Sequence, residues 1–214
     1  ILLELLKHGA NTNIADNEKV TLIEKLIDAI LYINNKKIVP PSFIKQINKS
    51  DDYLSILKKI LENSKVFLRK LNSKGKPLFF DTIFYNNTVL FKLLKTYGAD
   101  INHKDDEGRN ILHNLLTMSD SPIFKEQKGF HKLLHELIFQ GADVNSKDDK
   151  GSSPAHNAIL LTNEHTLKVI LDSKVNMKSV DNQGRSLVHN CVWDSKMKHF
   201  RMLQLYNESI LNMP

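Results

Sequence analysis

Apolar residues recur along the chain at helical spacing, in short blocks cut by polar turns. Leu90, Phe91, Leu93 and Leu94 form one block, and Leu133, Leu134, Leu137 and Ile138 another. Each block predicts a short amphipathic helix. Gly98 and Gly141 follow these blocks, where a helix end calls for a left-handed residue. Gly75, Gly108, Gly151 and Gly184 come just after Asp or Asn, the usual chemistry of a tight turn. Thr21, Ser153 and Ser186 are placed to cap the helices that follow. A pair of such helices is too small to bury its own apolar face, so neighbouring pairs must stack.

The pattern is a repeat. Gly98-Ala99-Asp100-Ile101-Asn102-His103-Lys104-Asp105-Asp106-Glu107-Gly108 aligns with Gly141-Ala142-Asp143-Val144-Asn145-Ser146-Lys147-Asp148-Asp149-Lys150-Gly151. A third copy is His8-Gly9-Ala10-Asn11-Thr12-Asn13-Ile14-Ala15-Asp16. Counted from the turn Asp or Asn, repeats begin at Asp16, Asn72, Asp105, Asp148 and Asp181, spaced 56, 33, 43 and 33 residues apart. These segments resemble the ankyrin repeat, with a period of 33 residues and a Thr-Pro-Leu-His core. The nearest matches to that core are Asn110-Ile111-Leu112-His113, Ser153-Pro154-Ala155-His156 and Ser186-Leu187-Val188-His189. Thr21-Leu22-Ile23-Glu24 and Pro77-Leu78-Phe79-Phe80 are weaker. The resemblance implies an all-α solenoid of antiparallel helix pairs joined by β-hairpin-like turns. It divides the chain into a partial repeat at 1–15 and repeats at 16–71, 72–104, 105–147, 148–180 and 181–214.

Several positions depart from the family pattern. Lys65 and Lys174 stand where it has the helix-ending Gly, so a slightly strained turn or another cap is expected there. Lys19 replaces a turn Gly, and Glu24 replaces the His of the first full repeat. One insertion falls near 33–52, where Pro40-Pro41 stops any helix and 42–47 predicts a short extra one capped by Ser42. The other spans 119–129. Both read as tolerated surface loops, with a second contact surface as the alternative. The last helix is expected over 200–205, with apolar residues persisting to the end. Ile1 reads as a helix entered partway along, as in a fragment of a longer protein.

Composition narrows the class. Hydrophobic residues make up 41% of 214, which excludes a disordered chain. The formal charge of +6 is spread over many lysines rather than gathered on one stripe, which argues against a dedicated nucleic-acid binder. Cys191 is the single cysteine, so no intrachain disulfide can form, and a reducing, cytoplasmic setting is expected. No apolar run approaches the ~20 residues of a bilayer span. Nothing in the sequence calls for a cofactor.

The candidate chemistry is thin. His113, His156 and His189 recur, but the resemblance makes them structural, bonding backbone at the helix start. No nucleophile accompanies them, so no enzyme activity is expected. His189 and Cys191 are two apart and do not share a helix face. His131 and His135 have metal-gripping spacing but lack the Glu of the zinc-protease motif, and read as two solvated histidines. No phosphate-binding glycine loop is present, and the sequon at Asn86-Asn87-Thr88 is idle in a reducing compartment.

By resemblance, partners dock on the concave side, formed by the turn tips and the ends of the inner helices. Carried over, those helix ends are Asp28 and Ala29, Phe84 and Tyr85, Thr117 and Met118, Leu160 and Leu161, and Trp193 and Asp194. From the second repeat onward the row is apolar. The tips carry Lys74, Lys76, Arg109, Lys150 and Arg185 among acidic and amide residues. The expected partner is another protein, a peptide or helix with apolar anchors and acidic flanks, bound by a monomer. Phe84 and Leu160 packing between inner helices is the competing reading. The runner-up function is the substrate-targeting arm of a larger enzyme, such as a bacterial effector or a viral host-interaction protein acting in the host cytosol.

Overall fold

The computed structural model describes residues 16–17, 20–34, 50–63, 71–72, 75–84, 87–119, 129–161 and 164–211. Among them are ten helices and no strand, so the chain is all-α. The helices are α1 (Leu22–Asn34), α2 (Ser50–Asn63), α3 (Phe80–Phe84), α4 (Thr88–Thr96), α5 (Ile111–Thr117), α6 (Phe130–Phe139), α7 (Pro154–Leu161), α8 (Glu164–Leu171), α9 (Leu187–Trp193) and α10 (Met197–Leu211). The chain divides into two compact units, residues 1–100 and 101–214. The expected extra helix at 42–47, the turn at Lys65 and nearly all of the 119–129 insertion lie outside the described residues.

In the first unit α1 packs on α2 and α3 on α4. The buried stripe of α1, which includes Ile23, Leu26, Ile27 and Ile30, is at most 1% exposed. Its entry is fixed by a capping box. Thr21 N–H donates to Glu24 Oε2 at 2.6 Å, and Glu24 N–H donates back to Thr21 Oγ1 at 3.3 Å. Glu24 thus supplies the acceptor that a histidine supplies in the later copies. Asn87 caps α4 by accepting from Leu90 N–H.

In the second unit the helices form two rows: α5, α7 and α9 in one, α6, α8 and α10 in the other. Leu112, Leu115, Leu116, Leu134, Leu137, Ala155, Ala158, Ile159, Leu167 and Ile170 are completely buried between them. Each large side chain among these contributes about 1.5–3 kcal/mol. The last helix is longer than the sequence pattern indicated, running unbroken from Met197 to Leu211. No Gly or Pro falls in that stretch to stop it.

One turn recurs in both units. At Asp16, Asn72, Asp105, Asp148 and Asp181 the backbone N–H donates to the carbonyl four residues on, over 2.7–3.0 Å. The side-chain Oδ1 accepts from the N–H of that same fourth residue, over 2.8–3.0 Å. A short acceptor on the first residue closes the loop on itself, which is why Asp or Asn stands at every start. In the second unit successive turns are also joined. Asp149 N–H donates to Glu107 C=O at 3.1 Å, and Asn182 N–H to Lys150 C=O at 3.0 Å. Asn102 and Asn145 each bridge to the next helix end, accepting from Asp143 N–H and Asn176 N–H. Lys174 holds the left-handed conformation at φ 60°, strained for a residue with a Cβ, in the place of a glycine.

The close approach of turns dictates their glycines. A Cβ on Gly108 would lie 2.8 Å from Asp149 N, and one on Gly151 would lie 2.6 Å from Asn182 N. Gly184 has the same positive φ, 75° against 70° and 75°, but nothing within 4 Å of its Cβ position. Gly184→Ala is therefore expected to cost the left-handed penalty alone, about 1–2 kcal/mol. Gly108→Ala and Gly151→Ala must in addition push neighbouring turns apart. Urea denaturation of the three variants should place both inner ones well below Gly184→Ala, and equal midpoints would refute the coupling.

Candidate partner-binding surface

The apolar row of the second unit sits at the C-terminal ends of α5, α7 and α9. Thr117 is exposed and Met118, the C-cap of α5, is half-buried. Leu160 is 38% exposed, Leu161 41% and Trp193 85%. Leu160 is thus open in part rather than packed away between helices. The row is held by its neighbours. Ser119 Oγ donates to Leu161 C=O at 3.0 Å, and Lys196 Nζ donates to Leu160 C=O at 3.2 Å. Carbonyls in the last turn of a helix have no N–H of their own helix to accept from. Here residues following α5 and α9 supply donors to the end of α7 between them. Sequence reasoning missed Ser119 and Lys196, because a donor to a carbonyl some 40 residues away leaves no local signal.

The remaining sequence-predicted site residues are placed less uniformly. Tyr85 and Lys74 lie outside the described residues, as does the side chain of Phe84. Lys76 is half-buried. Lys150 is exposed at its tip. Arg109 Nε bonds Asp105 at 3.0 Å and its Nη1 meets Glu107 at 2.9 Å. Arg185 Nε bonds Asp181 at 2.7 Å. Both guanidinium groups therefore brace their own turns. Burial opposes ionisation of Asp105, but hydrogen bonds from Asn114 and Arg109 outweigh it and hold its carboxyl below the usual value. The bonds to Arg185 and Gln183 likewise outweigh desolvation at Asp181.

The recurring histidines act on backbone. Asn110, Ser153 and Ser186 each donate a backbone N–H to Nδ1 of the histidine three residues on, at 3.2 Å. Ser153 and Ser186 also offer a hydroxyl to that nitrogen at 2.8 Å. Asn110 presents Oδ1, an oxygen with no proton to give, 2.7 Å from Nδ1 of His113. On the far side of the ring, Nε2 of His113 reaches Ser152 C=O at 2.9 Å and Nε2 of His156 reaches Arg185 C=O at 3.3 Å. Cys191 is fully buried, and burial pushes its thiol up to about 11, so it carries no thiolate near neutral pH.

His131 corrects the expectation of a solvated pair. It is half-buried, its Nε2 lies 3.0 Å from Thr166 Oγ1, and its ring meets that of His165 edge-on. It packs α6 against α8, while His135 is exposed. Among the described residues no group of three His, Cys, Asp or Glu side chains is gathered as a metal would need. No described helix is long and apolar enough to cross a membrane.

Burial is the leading cause that lowers the basicity of His113, His156 and His199. The sign follows from linkage. Their folded values lie below the ordinary 6.5, so from there downward the unfolded chain binds more protons. The stability these neutral rings contribute is complete above pH 6.5 and is lost as pH falls toward the depressed folded values. Urea midpoints should drop between pH 7.5 and 5.5, and a flat or rising profile would contradict the burial of these rings.

No protein-family model matches the chain. It is similar to phosphocholine transferase AnkX of Legionella pneumophila, with 24% identity over 149 residues, 62% of this chain. The chain spans 14% of the length of that relative.

Proposed function

We propose that this chain is an ankyrin-repeat segment that binds another protein through the row of inner-helix ends. On this reading the stack comprises the partial repeat at 1–15 and the five repeats that follow, and the segment is itself non-catalytic. The supporting observation is the exposure of Leu160, Leu161 and Trp193 at inner-helix ends, with the α7 end that bears the two leucines pinned by Ser119 and Lys196. Large apolar and aromatic side chains on a rigid frame lose little entropy on binding and concentrate interface energy. Because Arg109 and Arg185 are spent within their turns, specificity rests on shape and apolar anchors, with Lys150 as the basic contact at a tip. The partner is a helix or extended segment with apolar anchors.

A second reading has one observation in its favour. The similarity is to a small part of a protein named as a phosphocholine transferase. The chain would then be the targeting arm of a larger enzyme, delivered as a bacterial effector to host cytosol, and the row would hold the substrate protein. The two readings share the surface and differ in what is attached to it.

Replacing both leucines, Leu160→Asp with Leu161→Asp, is expected to weaken partner capture from host-cell extract by tenfold or more, as loss of ~2 kcal/mol anchors does. Phe139, 85% exposed on α6 in the other row, is the control. Phe139→Ser should leave the same capture intact. Equal retention by both variants, or equal loss, would refute the row as the binding surface.

A further inference from the structure

The last carbonyls of a helix have no N–H of their own helix to accept from. At the ends of α5 and α9 the main chain that follows turns back to serve them, with Ser119 N–H on Leu116 C=O and Ser195 N–H on Val192 C=O, each at 3.2 Å. The end of α7 draws on side chains from elsewhere at three consecutive carbonyls. Ser119 Oγ donates to Leu161 C=O at 3.0 Å and Lys196 Nζ to Leu160 C=O at 3.2 Å. His199 Nδ1 meets Ile159 C=O at 3.1 Å. A carbonyl only accepts, so the proton of a neutral His199 ring sits on Nδ1. Leu160 and Leu161 are thus carried on a turn that α5 grips from one side and the start of α10 from the other.

Lys196 and His199 come from one short stretch. Ser195 takes a left-handed φ of 53°, Lys196 N–H closes on Cys191 C=O at 2.8 Å, and α10 starts at the next residue. Three residues apart, the two side chains lie on one face, and both reach the end of α7. The His199 residue is only 4% exposed. Several elements surround it. α7 offers the Ile159 carbonyl. Asp194, the C-cap of α9, lies 3.6 Å from Lys196 Nζ, and Glu164 on α8 pairs with Lys198 at 3.2 Å. Burial is the leading cause that holds the basicity of His199 below the ordinary 6.5. The Lys196 cation adds to it, while the Ile159 bond and the Glu164 and Asp194 carboxylates oppose it.

We infer that His199 is a positioning residue for the Leu160–Leu161 pair: its neutral ring completes a three-point clamp on the last turn of α7, and uptake of a second proton releases that clamp. The second proton goes to Nε2 and places a cation in a nearly buried site beside the Lys196 ammonium. A ring that swings out regains water, so acid favours the released state. The clamp is complete above pH 6.5 and is lost as pH falls below it. Lys196 leaves with the first turn of α10, so two of the three donors go together. Recognition by the leucine pair is thereby tied to near-neutral pH. This rests on the reading of Leu160 and Leu161 as binding anchors.

NMR of the leucine methyls and histidine rings of the whole chain, from pH 7.5 to 5.5, tests the clamp without any partner. The Leu160 and Leu161 methyl signals should move with the midpoint of the His199 ring. His199→Asn sets a neutral N–H donor that does not titrate near the place of Nδ1, and in it both leucine signals should keep their neutral-pH positions throughout. Lys196→Met removes the neighbouring cation and should carry the midpoints of His199 and of both leucines to higher pH together. Leucine signals that stay still in the original chain, that follow His156 instead, or that still titrate in His199→Asn overturn the inference. So does Lys196→Met if the His199 midpoint moves and the leucine midpoints do not. A flat leucine titration would leave the row standing as a binding surface, which the paired aspartate variant tests separately.

Discussion

A buried imidazole that touches two turns at once is the interaction on which the second unit depends. His156 accepts from the start of its own helix through Nδ1 and passes Nε2 to the carbonyl that closes the next turn. The ring is neutral because burial lowers its basicity. Helix capping and neighbour coupling are therefore one contact, and neither is complete without the other. The turn glycines, the Asn102 and Asn145 bridges and the inter-turn N–H bonds all presuppose the spacing the ring sets. Coupling of this nearest-neighbour kind makes stability a sum of local units and interfaces. It also places the ends of α5, α7 and α9 at a fixed pitch, which turns isolated apolar residues into a row.

Much of this was legible because it is local. An Asp or Asn followed three residues later by Gly names a turn through bonds made within five residues; the four starts with this pair show that turn, and Asp16 closes the same bonds without the Gly. The helix cap at Ser186 was readable for the same reason. Glu24 shows why a departure from pattern need not break the element. A carboxylate can accept the same N–H as an imidazole, although it has no second nitrogen to reach onward.

What escaped the sequence depends on partners far along the chain. Arg109 and Arg185 read as free cations at turn tips, and the fold spends them on Asp105 and Asp181. His131 looked solvated, and α8 brings Thr166 and His165 to it. Ser119 and Lys196 carry no signal in sequence, yet they pin the helix end that bears Leu160 and Leu161. The length of α10 was missed because only a stop residue reveals an end, and none is present. Exposure is the common thread: patterns identify which residues are apolar, while the fold decides which of them a neighbour covers.

The similarity to a transferase covers a small part of that protein's length. Cys191 is buried with its thiol held protonated, and the rings of His113, His156 and His199 are held by backbone carbonyls. The central claim is that the imidazole couples neighbouring turns, and nitrogen-15 NMR of the histidine rings tests it most directly. His156 and His189 share the same serine contacts at Nδ1, and they differ in that Nε2 of His156 meets Arg185 C=O while Nε2 of His189 meets no carbonyl among the described residues. The account predicts that at neutral pH His156 holds its proton on Nε2 with slow exchange against solvent, while the His189 Nε2 proton exchanges fast. Equal, fast exchange at both rings, or a His156 proton on Nδ1, would contradict it.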